Sequence, residues 1–297
     1  MMAGYRCRPL AVAAFAIAHA FAGVSVFAMD WPLAPPRIAA TFGTLGKGRV
    51  FAGIAFSADE GLVRSAENGE LSFILDESDH RGILPTPLGS FVIVEHQNGM
   101  AAVYSHLAPS SLSAYQRKPK SGDVLGKTGV SGWIEGPGLV FQVFDRLSGS
   151  WVNPLLVLPP LANDKPPIIR SLALSHIDKV YVLGETASLP QGTYKISADI
   201  VDPADSSWIV GPLAPYSIRL SIDGVEVVKE VFDVAKGEKG RLMLFTGKPT
   251  AAAELRTREG RYSLAERLFT RGRTTIELHV EDAIGNKRSV SWSVLVE

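Results

Sequence analysis

The sequence predicts an all-β protein, an antiparallel β-sheet domain followed by a β-sandwich of immunoglobulin-like type. Three observations predict it. From position 49 onward, short apolar runs rich in β-branched and aromatic residues alternate with turn residues. Pairs that favour tight turns, Asn98-Gly99 and Asp223-Gly224, join neighbouring runs. A stretch with two proline pairs, "LVLPPLANDKPPIIR", separates two such regions. The size agrees, since 297 residues exceed the usual single domain. With 46% apolar and 20% charged residues the chain can bury a core, which excludes a disordered protein.

Residues 1–28 have the pattern of a secretory signal: Arg6 and Arg8, an apolar run from Leu10, and Val26-Phe27-Ala28 at the cleavage point. The alternative is an uncleaved anchor helix, which Gly23 and Ser25 disfavour by interrupting the run. Export across the inner membrane to the periplasm is therefore expected, with no transmembrane helix in the mature chain. Removing the segment takes away two arginines and no acid, leaving a small negative excess that offers no bulk attraction to nucleic acid. The only cysteine, Cys7, leaves with it, so the mature chain has no disulfide, no thiolate nucleophile and no cysteine metal ligand.

The N-terminal domain is expected over 29–158. Within it "SFVIVEHQNGMAAVYSHL" reads as two strands joined at Asn98-Gly99, and the fully apolar 91–94 implies a strand covered on both faces. "GLVFQVF" reads the same way. A proline-rich linker is expected over 159–170 and the sandwich over 171–297. Its strands are expected at 179–183, 193–201, 216–222, 225–232, 241–245, 274–280 and 288–296, a number that suits an immunoglobulin-like fold. "AAAELR" and "YSLAERLF" read as short helical insertions.

The stretch "SGDVLGKTGVSGWIEGPGLVFQV" nearly spells a phosphate-binding loop. Such a loop needs four residues between its first glycine and Gly-Lys-Thr, and a helix after it whose N-terminus meets the phosphate. Here Gly122 and Gly126 enclose three residues, and an apolar strand follows. A glycine-rich β-turn fits better. "GVSG" also lacks the G-x-S-x-G spacing of a serine nucleophile elbow.

Taken whole, residues 36–158 resemble the lysostaphin and LytM-type zinc endopeptidases that cut peptide cross-links in bacterial peptidoglycan. "RIAATFG" is similar to the family's entry strand, "FAGIAFSADEGLVRSAENGEL" to its first ligand segment, and "GSFVIVEHQNGMAAVYSHL" to its central hairpin. "SGDVLGKTGVSG" and "GPGLVFQVFD", then "WVNP", resemble its last site turn, strand and exit. The resemblance implies one zinc, held by His and Asp of an H-x-x-x-D pair and the second His of an H-x-H pair, with two helper histidines for proton transfer and oxyanion stabilisation.

In this sequence the first pair falls on Phe51 and Ala55, and the H-x-H falls on Gly138 and Val140. Of the helpers only His106 remains, and Gln142 replaces the usual Glu. No cofactor is therefore expected, and zinc is expected to be absent. Apolar replacements can pack dry where leftover His and Asp would be buried without partners.

Other candidates are weaker. Asp76, Asp79 and His80 in "DESDHRG" read as a solvated hairpin tip. Glu95 and His96 alternate faces on a strand and cannot share a site. His106 alone is an ordinary strand histidine more often than a catalyst, and His176 and His279 lie in the other domain without evident partners. The Arg-rich 256–273, interleaved with Glu254, Glu259 and Glu266, reads as a solvated face.

Tyr104, His106, Trp133 and Gln142 are the candidate groove residues, for stacking on a sugar or hydrogen-bonding a glycan or peptide. By resemblance to the catalytically degenerate EnvC and NlpD types, the expected function is to bind peptidoglycan or to regulate a cell-wall amidase or division protein, with the sandwich as spacer or docking module. Two alternatives stand beside it. One is an active metalloendopeptidase with non-standard zinc ligands, and the other is a structural envelope protein whose groove binds nothing.

Overall fold

The computed structural model describes residues 29–34, 37–46, 49–79, 86–112, 117–160, 165–203, 213–245 and 249–297. The expected signal over 1–28, Cys7 and His80 lie outside the described residues. The fold is all-β, and its sheets are almost entirely antiparallel.

The N-terminal region runs through β1 (Ile38–Ala40), β2 (Leu45–Gly46), β3 (Arg49–Val50), β4 (Ile54–Ser57), β5 (Leu62–Arg64), β6 (Gly69–Leu75), β7 (Ser90–His96), β8 (Met100–Leu107), β9 (Val124–Lys127), β10 (Gly138–Asp145) and β11 (Ser150–Val152). The β7–β8 hairpin turns at Asn98-Gly99, where Asn98 Oδ1 accepts the Met100 N–H at 3.0 Å. Alternation then sorts the side chains. Leu139, Phe141 and Val143 of β10 enter a core with Ile54, Phe56, Val92, Val94 and Tyr104. The neighbouring residues Gly138, Val140 and Gln142 face the other way. The would-be phosphate loop contains β9, paired with β5, and no helix follows it.

The C-terminal region runs through β12 (Ile168–His176), β13 (Lys179–Val182), β14 (Ser188–Leu189), β15 (Gly192–Val201), β16 (Ser217–Ile222), β17 (Val225–Val231), β18 (Val234–Glu238), β19 (Arg241–Phe245), β20 (Pro249–Ala251), α1 (Ala252–Leu255), β21 (Tyr262–Phe269), β22 (Gly272–Glu281) and β23 (Lys287–Val296). Two sheets form, β13-β12-β15-β21 and β14-β23-β22-β16-β17. Leu172, Tyr194 and Ile196 of one and Ile218, Leu220, Leu278 and Val294 of the other share a core, so the sheets make a sandwich.

The arrangement of strands differs from expectation in three places. The stretch "YSLAERLF" is strand β21, not a helix. It pairs with β15 and buries Tyr262, Leu264 and Phe269, and this packing overrides local helix propensity. The linker expected to reach 170 stops earlier, because Ile168 and Ile169 already pair with Val201 and Ile200.

The third correction concerns 241–245, expected in the sandwich. As β19 it joins β18 and β20 in a three-stranded insert on the N-terminal sheet, through the pairs Trp151↔Ala235 and Val152↔Val234 between β11 and β18. The ladder therefore runs β20-β19-β18-β11-β10-β8-β7-β6 across both halves of the chain. Asn153 secures the crossing. Its backbone N–H donates to the Asp233 carbonyl at 2.8 Å, and its side chain donates to the Phe232 carbonyl at 2.9 Å. The cores interlock as well, since Phe42, Val50 and Ala52 pack with Phe232, Ala235 and Leu244 in the sandwich cluster, while Leu213 enters the N-terminal one.

Leu244 is fully buried at this junction. Leu244→Ala should cost about 2–5 kcal/mol by leaving a cavity. Because the sheet is shared, calorimetry of the full chain should give one unfolding transition, lowered as a whole by the substitution, where independent halves would give two.

Candidate functional site

The site is built around β10. In register, Val140 stands opposite Ala55 of β4 on one side and Ser105 of β8 on the other, and Gly138 stands opposite Ser57. Ala55, Val140 and Ser105 therefore form a row across three strands, on the face turned away from the Phe141 core. Phe51 precedes β4 on a loop, where its N–H donates to the Thr44 carbonyl and its carbonyl accepts from Gly43, both at 2.9 Å.

Gly138 is held by close backbone approach. A Cβ built there would lie 2.2 Å from the Phe56 carbonyl oxygen, so no side chain fits without parting β4 from β10. Its N–H also donates to the Gly129 carbonyl at 2.9 Å, closing a loop over 130–137.

The polar side chains around the row are engaged with backbone. Ser105 Oγ donates to the Val140 carbonyl at 3.2 Å, and Gln142 Nε2 donates to the Ala52 carbonyl at 2.8 Å, tying β10 to the Phe51 loop. His106 Nδ1 lies 2.8 Å from the Ser131 carbonyl. A carbonyl only accepts, so Nδ1 carries the proton and donates. His106 is buried and has φ 67°, in the left-handed region where a non-glycine residue is uncommon. Burial pushes its pKa below the ordinary value, a shift that the Ser131 hydrogen bond partly opposes. At neutral pH the ring is therefore uncharged.

Ser131, which sequence reasoning passed over, organises this end of the site. Its hydroxyl donates to the Leu107 carbonyl at 2.7 Å and accepts the Ser90 N–H at 2.9 Å. Beside it Gly132, at φ 70°, lies so close to Gly89 that a Cβ would be 2.4 Å from the Gly89 nitrogen. The Trp133 N–H donates to the Pro87 carbonyl at 3.0 Å. The loop is thus pinned along its backbone while the Trp133 side chain remains 76% exposed. The only sequence signal for the pin was the glycine spacing around Ser131.

The other candidates separate. Tyr104 is a correction: it lies on the core face, fully buried, its ring 5.2 Å from Phe141 and its hydroxyl accepting the Ala66 N–H at 2.8 Å. Burial raises its pKa well above the usual phenol value, so it is a structural residue and lines no groove. Asp76 Oδ1 accepts from the Ser78 backbone and hydroxyl at 2.9 and 2.7 Å, and Oδ2 from the Ser110 N–H at 2.9 Å, which makes it a loop organiser. The Asp79 N–H donates to the Asp76 carbonyl at 3.0 Å. Glu95 pairs with Arg146 at the surface, whereas His96 is buried with Nδ1 3.0 Å from the Asn68 carbonyl. His176 bonds the Thr193 carbonyl and His279 the Ser289 hydroxyl, both within the sandwich.

Residues 49–154 match the model of Peptidase family M23. A second family model matches residues 166–297. The chain is similar to the DD-carboxypeptidase/endopeptidase Mpg of Neisseria meningitidis serogroup B, at 31% identity over 135 residues, covering 43% of this chain and 29% of that protein. It is also similar to the cell division protein DipM of Caulobacter vibrioides, at 32% identity over 136 residues, covering 43% of this chain and 20% of DipM. It thus spans less than a third of the length of either relative. Among solved structures, the catalytic domain of the prophage-encoded M23 protein EnpA from Enterococcus faecalis is 25% identical with a TM-score of 0.34, covering 41% of this chain and 90% of that one.

Zinc coordination requires nitrogen, sulfur or carboxylate oxygen donors. Phe51, Ala55, Gly138 and Val140 supply none, Ser105 and Gln142 are engaged with carbonyl groups, and His106, whose Nδ1 donates to Ser131, offers a single nitrogen donor. The residues at these positions do not fit the ion. Among the described residues, no group of three or more His, Cys, Asp or Glu side chains is placed to hold a metal.

Two outcomes follow. Gly138→Ala should destabilise the chain by about 2–3 kcal/mol, or prevent folding, by forcing β4 and β10 apart, read as a lowered urea midpoint. For His106 the folded pKa is depressed, so the unfolded chain binds the proton more readily. This contribution to stability is present above pH 6.5 and is lost as pH falls from there towards the folded value. His106→Asn should show a smaller loss of stability between pH 7.5 and 5.5 in urea titrations.

Proposed function

We propose that this chain is an exported, non-catalytic M23-type protein that binds peptidoglycan, or a cell-wall hydrolase working on it, in the bacterial envelope. The observation that carries the reading is the row Ala55–Val140–Ser105 beside the closed Gly138. Hydrocarbon occupies the positions where the family places zinc ligands, and the backbone leaves no room for one of the two H-x-H side chains. The pinned loop supports a binding role, since it presents Trp133 to solvent on fixed backbone, and aromatic faces stack on sugars and anchor protein interfaces. Similarity to proteins named for endopeptidase activity and for cell division supports a cell-wall setting.

The C-terminal sandwich, in this reading an immunoglobulin-like module, holds its position against the groove through the shared sheet and serves as a docking surface. No helix among the described residues is long and apolar enough to cross a membrane.

Purified protein incubated with isolated sacculi should co-sediment, and Trp133→Ala should weaken that binding about tenfold. Elemental analysis should find far less than one zinc per chain, and no muropeptides should be released. Stoichiometric zinc together with release that chelation stops would overturn the non-catalytic reading in favour of a metalloendopeptidase with non-standard ligands. Failure to bind either sacculi or a co-purifying hydrolase would leave the structural role.

A further inference from the structure

A small cavity of about 20 Å³ lies where the two halves meet, lined by Thr41 and Leu155 from the N-terminal region and by Asp202, Leu213, Ala214, Asp282 and Ile284 from the C-terminal one. That is room for one water-sized occupant. Two carboxylates border it, Asp202 and Asp282, each only 2% exposed. Asp282 is well provided for by its own turn. Its Oδ1 accepts the N–H groups of Ile284 at 3.0 Å and Asn286 at 2.8 Å, and its Oδ2 accepts from the Asn286 side chain at 2.8 Å. A carboxylate offers about four acceptor positions, so one remains.

Asp202 differs, because among the described residues its buried Oδ1 has no hydrogen-bond partner. No arginine or lysine among the described residues lines the cavity, and the Arg256 guanidinium covers the ring of Tyr262, 4.0 Å from the centroid. A buried carboxylate oxygen beside a second acid, without a donor or a cation, is strongly unfavourable unless a proton or a metal ion answers it. Burial, with a smaller contribution from Asp282, raises the Asp202 pKa to about 7, as that arrangement requires.

We propose that Asp202, Asp282 and the Thr41 hydroxyl form a calcium site that clamps the two halves of the chain together. The donors are all oxygen, which selects a hard cation. Calcium accepts irregular coordination and completes its shell with carbonyls and water, whereas magnesium demands a near-ideal octahedron. Thr41 Oγ1 already accepts the Ala214 N–H at 3.1 Å, which brings an N-terminal oxygen to the same corner as the two acids. With three protein side chains the site belongs with weak extracellular calcium modules, at a dissociation constant of about 0.1–1 mM. The proposal stands apart from the reading of the groove.

The rival occupant of Asp202 is a proton, and the two differ in their pH dependence. Asp202 has a raised folded pKa, so without metal its contribution to stability is full below about pH 4 and is lost as pH rises towards 7. Calcium should compensate for that loss.

Calorimetry of the full chain at pH 8 in 10 mM CaCl2 should show a Tm about 2–4 °C above that in EDTA, and the difference should vanish at pH 5, where the proton holds the site. Asp202→Asn should fold and show no calcium response. Thr41→Val, which keeps the charge, should weaken the response several-fold. A Tm unaffected by 10 mM CaCl2, with stability falling between about pH 4 and 7 and level above, would mean that a proton alone serves Asp202 and would overturn the proposal. A full response in Asp202→Asn would overturn it equally, by placing calcium elsewhere.

Discussion

The structure depends on a short backbone ladder, the two residue pairs by which β11 meets β18. Without it the N-terminal sheet would end at β11, with an exposed row of amides and carbonyls. With it, three strands encoded more than eighty residues later complete that sheet. Phe232, Ala235 and Leu244 are thereby carried into contact with Phe42, Val50 and Ala52. Asn153 protects the crossing by satisfying backbone carbonyls on the incoming chain, so the junction is closed by hydrogen bonds as well as by burial. The loop that leads to Phe51 starts from this shared core. The setting of the candidate site is therefore fixed from both halves.

At the site, two packing facts reinforce each other. Apolar residues in the row across β4, β10 and β8 bury no unmet polar atom, and the strands have drawn together until only glycine fits at 138. A polar pocket for a metal keeps strands and side chains at coordination distance, whereas this arrangement favours contact. His106 is part of this packing. Its ring secures the loop through Ser131, and its backbone accepts an unusual φ to do so.

Much of this was legible in the sequence, because its signals were local. Asn98-Gly99 and Asp223-Gly224 marked their hairpins, and the apolar run "GLVFQVF" marked the buried strand β10. The failures came where distant chain segments decided the outcome. β21 carries helix-favouring residues in its middle, and only pairing with β15 makes it a strand. Nothing near residues 241–245 says which of two sheets will receive them. Tyr104 and His106 stand two apart on one strand, where alternation alone would give them one face; the break in register opposite Ser90–Val92, with His106 at φ 67°, separates them and leaves Tyr104 in the core. Ser131 is an unremarkable residue in a glycine-rich turn, and its role arises from Gly89 and Leu107, which lie far off in sequence.

The strand exchange between halves also bears on modularity. A unit joined by a flexible tether can be shuffled, duplicated or fused to new neighbours over evolution, since each piece keeps its own surface. Here the second unit donates part of the first unit's sheet, so the seam has no clean cutting point. Descendants of this architecture should inherit both pieces as a pair, and a chimera that swaps either one must carry residues 234–251 along with the sheet they complete.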